Sequence, residues 1–128
     1  MATGMQEPTF LILAALAAGP QHGYGIMKEA EQLSGGARRL QPGTLYAALE
    51  RLAGEGLVTT DHEEVVDARF RRYYRLTDAG AGLLTEETAR RRTQAQVVTR
   101  RLRAAGLLTH VADVLTRPST VPAIEGMS

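Results

Sequence analysis

Pro42 and Gly43 stand together in the middle of a chain that otherwise favours helix, so one helix must end before them and another begin with them. Beyond them Leu45, Leu49 and Leu52 recur at spacings of four and three, the apolar stripe of an amphipathic helix over 42–53. Thr44 offers a hydroxyl at the mouth of that helix, where backbone N–H groups lack acceptors. The opposite face carries Tyr46, Ala47, Glu50 and Arg51. A face that is small at its N-terminus and basic further on can approach a flat polyanion.

A second pattern follows closely. In Arg69-Phe70-Arg71-Arg72-Tyr73-Tyr74-Arg75-Leu76 the residues alternate as a strand would place them, with Phe70, Tyr74 and Leu76 on one side and Arg69, Arg71, Tyr73 and Arg75 on the other. Leu57 to Thr60 starts a partner strand, and the polar, acidic stretch 61–68 between them is expected to be an exposed hairpin. Upstream, Pro8 to Leu16 reads as a helix apolar on nearly all sides, stopped by Gly19-Pro20 and therefore expected to be buried. A second helix is expected from about His22 to Leu33, with Tyr24, Met27, Ala30 and Leu33 as its inner face and Ser34-Gly35-Gly36 ending it. Thr77-Asp78 caps a long helix reaching about Ala105. Its thin stripe of Leu84, Thr88, Ala95, Val98 and Leu102 asks for a partner, most simply the same helix of a second subunit.

The expected fold is therefore mainly α with a small two-stranded antiparallel wing, a winged helix-turn-helix followed by a C-terminal dimerisation helix. Residues 1–7 read as a flexible N-terminus, 8–77 as the winged helix-turn-helix, 78–117 as the helical dimerisation region and 118–128 as a disordered tail. Within the third of these, 107–117 forms a short amphipathic segment after a break at Gly106.

Composition narrows the function. The 128 residues include no cysteine, which removes disulfides, a thiolate nucleophile and a cysteine zinc site. His22, His62 and His110 are too far apart to share a ligand spacing, so no metal or other cofactor is expected. No arrangement of Ser, His and Asp points to nucleophilic catalysis, and Glu63, Glu64 and Asp67 read as a polar hairpin, so no enzyme is expected. Gly23-Tyr24-Gly25 lacks the preceding strand and third glycine of a phosphate loop. The apolar run from Phe10 to Ala18 is too short for a bilayer, and a cytoplasmic protein is expected. Net charge is only +1, and residues 1–78 hold eight basic against ten acidic side chains. Binding to nucleic acid would have to rest on where charge lies.

It can lie in the right places. Gln41, Thr44 and Tyr46 sit at the N-terminus of the 42–53 helix, where side chains reach base edges in the major groove, and Arg51 lies further along. Arg69, Arg71, Arg72 and Tyr73 on the hairpin can hold phosphates. Tyr24 and Tyr74 fall on expected core faces. The alternative left open is a winged-helix module that meets another protein without binding specific DNA.

His22-Gly23-Tyr24-Gly25-Ile26, Pro42 to Leu52, Glu55-Gly56-Leu57-Val58 and Arg72-Tyr73-Tyr74-Arg75-Leu76-Thr77-Asp78-Ala79-Gly80 together closely resemble the PadR family of winged helix-turn-helix transcriptional regulators, over roughly residues 8–84. The resemblance implies a bacterial, cytoplasmic regulator, usually a repressor. It would be a homodimer joined through its C-terminal helices, bound to double-stranded DNA at a palindromic operator. It also implies a small aromatic effector that binds near the dimer interface and releases DNA. Two features depart from the family pattern. The hairpin tip has no glycine or proline, and the chain has no tryptophan on which a drug could stack.

Overall fold

The computed structural model describes residues 4–107. Helix α1 (Glu7–Ala17) is followed by the two-residue strand β1 (Gln21–His22), helix α2 (Gly23–Leu33) and helix α3 (Pro42–Gly54). Strands β2 (Val58–Val66) and β3 (Arg69–Leu76) form the hairpin, and α4 (Asp78–Ala104) closes the series. The chain divides into two compact units, 1–85 and 86–128, with the boundary inside α4. Among the described residues no helix is long and apolar enough to cross a membrane. The expectations for 108–128, including the short amphipathic segment, the disordered tail and His110, lie outside the described residues, as does the start of the N-terminus at 1–3.

The first unit is built around α1. Leu11, Ile12, Leu13, Ala15 and Leu16 are all buried, and they meet Ile26 and Ala30 of α2, Leu45, Leu49 and Leu52 of α3 and Val58 of β2. The leucine stripe read from the sequence of α3 is thus the stripe that packs. Burying seven large side chains fully, each contributing on the order of 1.5–3 kcal/mol, is the main force that holds three short helices together.

The inner face of α2 differs from the expectation. Gly23, Ile26 and Ala30 are buried, while Tyr24 and Leu33 are exposed. The reason is geometric. A strict spacing of three drifts by about 60° per step on a helix of 3.6 residues per turn, so Tyr24 and Leu33 end on opposite sides. Spacings of three and then four, from 23 to 26 to 30, stay on one face.

The sheet has three strands rather than two, in the order β1-β3-β2, all antiparallel. Gln21 pairs with Tyr74 and His22 with Tyr73, a contact too short to leave a sequence pattern. The hairpin itself is longer than expected, because β2 runs on through the acidic stretch to Val66. It turns through Asp67 and Ala68, both at positive φ (52° and 62°), which suits the right-handed twist of the strands although neither is glycine. A bulge between Thr60 and His62 shifts the register once, and beyond it Glu63 faces Arg72, Glu64 faces Arg71 and Val65 faces Phe70.

The join between hairpin and α4 is tight. The Thr77 hydroxyl donates to the Gly56 carbonyl at 2.6 Å and accepts from the Gly80 N–H at 3.0 Å, while the Thr77 N–H donates to the Leu57 carbonyl. A side chain on Gly80 would collide with that Leu57 carbonyl oxygen. Helix α4 ends at the expected break, with Gly106 at φ 80°.

Candidate nucleic-acid interface

The N-terminus of α3 is set by Gln41, whose extended backbone precedes Pro42 and whose side chain makes no capping bond. Leu45 is driven inward and fully buried, which leaves Gln41 and Thr44 pointing outward. Thr44 is the third helical residue, past the capping position, and among the described residues its hydroxyl holds no hydrogen bond. Tyr46 is half exposed. Its phenol lies back across the first turn of α2, where Gly23 has no side chain to obstruct it.

Arg51 is elsewhere. Its guanidinium donates to the Thr9 hydroxyl at 2.8 Å and stands 3.7 Å from Glu55. It ties α3 to α1 instead of reaching outward beside Gln41 and Thr44, as the sequence had suggested. A helical spacing shows that a residue is off the core stripe, not which neighbouring helix it will meet.

On the hairpin, acids and arginines interlock. Arg72 donates to Glu63 at 2.9 Å, and the Glu63 carboxylate holds the Arg72 guanidinium above its ordinary pKa. Arg75 lies 3.5 Å from Asp61. The Tyr73 hydroxyl donates to Glu64 at 3.0 Å, and the Tyr73 ring stacks on His62 (4.3 Å between centroids, 12° between planes). On its other side His22 meets the same ring edge-on at 5.2 Å, so a row of three rings crosses all three strands. Arg69 and Arg71 have no carboxylate partner among the described residues. They are the two arginines of the hairpin without an ion pair among the described residues, although Glu64 stands opposite Arg71 across the ladder.

His22 also begins α2. Its Nδ1 accepts from the Gly25 N–H at 3.2 Å, which only the deprotonated nitrogen can do. Partial burial, and then the Arg71 guanidinium, push its pKa below the ordinary histidine value, with Glu64 pulling the other way.

Between the hairpin, the start of α2 and Tyr46 lies an open cleft of about 650 Å³. Of the expected interface residues, Tyr46, Arg69, Arg71 and Arg72 line it. Along β3 the side chains of Phe70, Arg72 and Tyr74 share one face and those of Arg69, Arg71 and Tyr73 the other, Gln41 and Thr44 lie on the outer surface of α3, and Arg51 is apart. Tyr24, expected on a core face, belongs instead to this exposed region (63% exposed), and Phe70 joins it (62% exposed). Phe70 lies on the same side of β3 as Tyr74 and Leu76, as the alternation required, but the strand outruns the helices that would have covered it. Among the described residues no group of three or more histidine and carboxylate side chains could hold a metal ion.

Of the expected dimerisation stripe, Leu84 is partly buried against the core of its own first unit. In the second unit Thr88, Ala95 and Val98 are exposed and Leu102 is half-buried.

Comparison with known proteins places this geometry. The profile described as the transcriptional regulator PadR-like family matches residues 12–86. The transcriptional regulator Rv3488 of Mycobacterium tuberculosis is 46% identical over 66 residues, which take in 52% of this chain and 58% of that protein. This chain therefore spans less than two thirds of that relative. Among solved structures, a PadR family transcription regulator from Clostridium difficile superposes with a TM-score of 0.62 at 25% identity, over 76% of this chain and 99% of that one. Bacillus subtilis PadR, in a complex with operator DNA, shares the fold with a TM-score of 0.57 at 24% identity, over 63% of this chain and 46% of that one.

Proposed function

The chain belongs to the transcriptional regulator PadR-like family, and from that premise we propose that it is a sequence-specific DNA-binding regulator, a homodimeric repressor on a palindromic operator. The carrying observation is the pairing of two surfaces: the outward Gln41 and Thr44 at the start of α3, and Arg69 and Arg71 on the hairpin, which hold no ion pair among the described residues. The first can offer hydrogen-bonding groups to base edges in the major groove, and the second can neutralise phosphates. The Bacillus subtilis protein of the same fold, in complex with operator DNA, supports the reading.

Thr88, Ala95, Val98 and Leu102 on α4 would meet their counterparts in a second copy. Twofold symmetry would then set two α3 helices about 34 Å apart, one turn of DNA. A small aromatic effector that favours a different dimer geometry would release the operator.

The test is binding of the purified protein to the DNA upstream of its own gene, against scrambled duplex, across a salt series. Tighter binding to the native fragment, weakening as salt rises, is the expected result. Equal and weak binding to both, together with an empty genome-wide selection, would favour a winged helix that docks on protein. A monomer by light scattering at micromolar concentration would rule out the dimeric mechanism.

A further inference from the structure

Residues 88–107 hold six arginines and no acidic side chain, while the rest of the chain holds nine basic side chains against fourteen acidic ones. The net charge of +1 therefore hides a segregation. The last part of α4 is strongly cationic, and the remainder of the protein is acidic on balance.

The six arginines are not equivalent. Arg90 and Arg91 both donate to the Glu87 carboxylate, at 2.6 and 2.9 Å. Arg92, Arg100 and Arg103 are exposed and hold no ion pair among the described residues. At about 100° of turn per residue these three fall, with Gln96, inside an arc of about 80°. That arc lies roughly a third of a turn from Leu84, Val98 and Leu102, so a second copy packed along the apolar stripe would leave it open. Together with Ala95 and Thr99 the four residues line an open groove of about 440 Å³.

The chemistry of the groove is one-sided. Ala95 is the one apolar side chain among the described residues that line it, so it has little to bury against an apolar partner. It offers instead three guanidinium forks, an amide and a hydroxyl, spread over about 16 Å of helix. Arg100 and Arg103 are neighbours on one helix edge, where like charges repel, and no acid lies within a turn to relieve them. The complementary partner is hydrophilic, extended and repeatedly anionic.

We infer that this face of α4 is a second, sequence-independent contact for the phosphate backbone of duplex DNA. The inference rests on the DNA-binding reading above and adds a surface outside the winged helix-turn-helix. Guanidinium groups take phosphate oxygens in pairs, and a DNA strand presents a phosphate about every 3.4 Å along its axis, so this length of helix meets several at once. A duplex already held by one part of a protein is also at high effective concentration for another basic surface. Contacts to phosphate carry no base preference, so the face strengthens binding to operator and non-operator DNA alike.

The experiment compares wild-type protein with the triple variant Arg92→Gln, Arg100→Gln, Arg103→Gln and with the corresponding triple change to lysine. Each is titrated, across a salt series, with a duplex selected by the wild type from a random pool and with a scrambled duplex, both embedded in longer DNA. The glutamine variant should bind both duplexes about ten- to hundredfold more weakly at low salt, with a salt slope lower by about three and an unchanged ratio between them. The lysine variant keeps the charge and should recover most of the slope. Melting curves and light scattering that match wild type would assign the loss to the contact and not to folding or assembly. A glutamine variant with wild-type affinity and slope on both duplexes would overturn the inference, leave DNA binding in place and point to an acidic protein segment as the partner of this face. So would a loss confined to the selected duplex, or one that the lysine variant shares in full. Failure of the wild type to prefer any duplex would remove the underlying reading itself.

Discussion

The Tyr46 hydroxyl occupies the space that a side chain on residue 23 would fill. One glycine at the start of α2 thereby sets the orientation of a tyrosine on α3, twenty-three positions later in the chain. The neighbouring Gly25 plays the same part for Gln21, whose amide a side chain there would displace. The Gly23-Tyr24-Gly25 segment therefore works by making room for two side chains.

Replacing Gly23 with alanine should uncouple affinity from stability. The phenol is the far end of a flexible side chain and can swing aside, so thermal unfolding should shift by no more than about 1 kcal/mol equivalent, while DNA affinity falls at least as far as in Tyr46→Phe. Parallel melting and binding curves check this, and a large drop in stability with unchanged binding would contradict it.

Two glycines of α4 should respond in opposite directions. Gly82 has open space around it, so Gly82→Ala should stabilise the protein by roughly 0.5–1 kcal/mol. A side chain at Gly80 would run into the Leu57 carbonyl, a backbone atom that cannot move without breaking its bond from the Thr77 N–H. Gly80→Ala should cost about 1–3 kcal/mol, read from the denaturant midpoint of the two variants.

Stability should carry a histidine signature. Burial and Arg71 lower the His22 pKa in the folded protein, against the opposing pull of Glu64, so the unfolded chain binds the proton more readily. Folding stability is then full above the ordinary histidine value near 6.5 and is lost as pH falls below it, when protonation also takes Nδ1 from the Gly25 N–H. His22→Asn keeps a capping acceptor that does not titrate. The difference in unfolding free energy between wild type and His22→Asn should therefore change between pH 7 and pH 5, and a constant difference would count against this role.

Freeing an arginine should strengthen DNA binding. Glu63→Gln removes the carboxylate that holds Arg72, and because the pair is exposed to solvent it contributes little to stability. The variant should melt close to wild type, bind both operator and scrambled duplex more tightly, and show a steeper salt dependence.

Much of this molecule is written locally. Pro42-Gly43, the leucines at 45, 49 and 52, the alternation over 69–76 and Thr77-Asp78 determine α3, β3 and the start of α4, because helix and strand periods and backbone breaks act over a few residues. The exposure of Tyr24 was legible too, had the α2 stripe been followed at 3.6 residues per turn instead of three. Other decisions belong to tertiary structure alone. Whether Arg72 or Arg71 is neutralised depends on a cross-strand register that a bulge near Asp61 and a turn at Asp67-Ala68 set together. Arg51 finds Thr9 only because α1 packs across α3, and Gln21-His22 becomes a strand only because the edge of β3 lies beside it. Charge compensation and short strand pairing are contacts between distant parts of the chain, and no local spacing encodes which distant parts will meet.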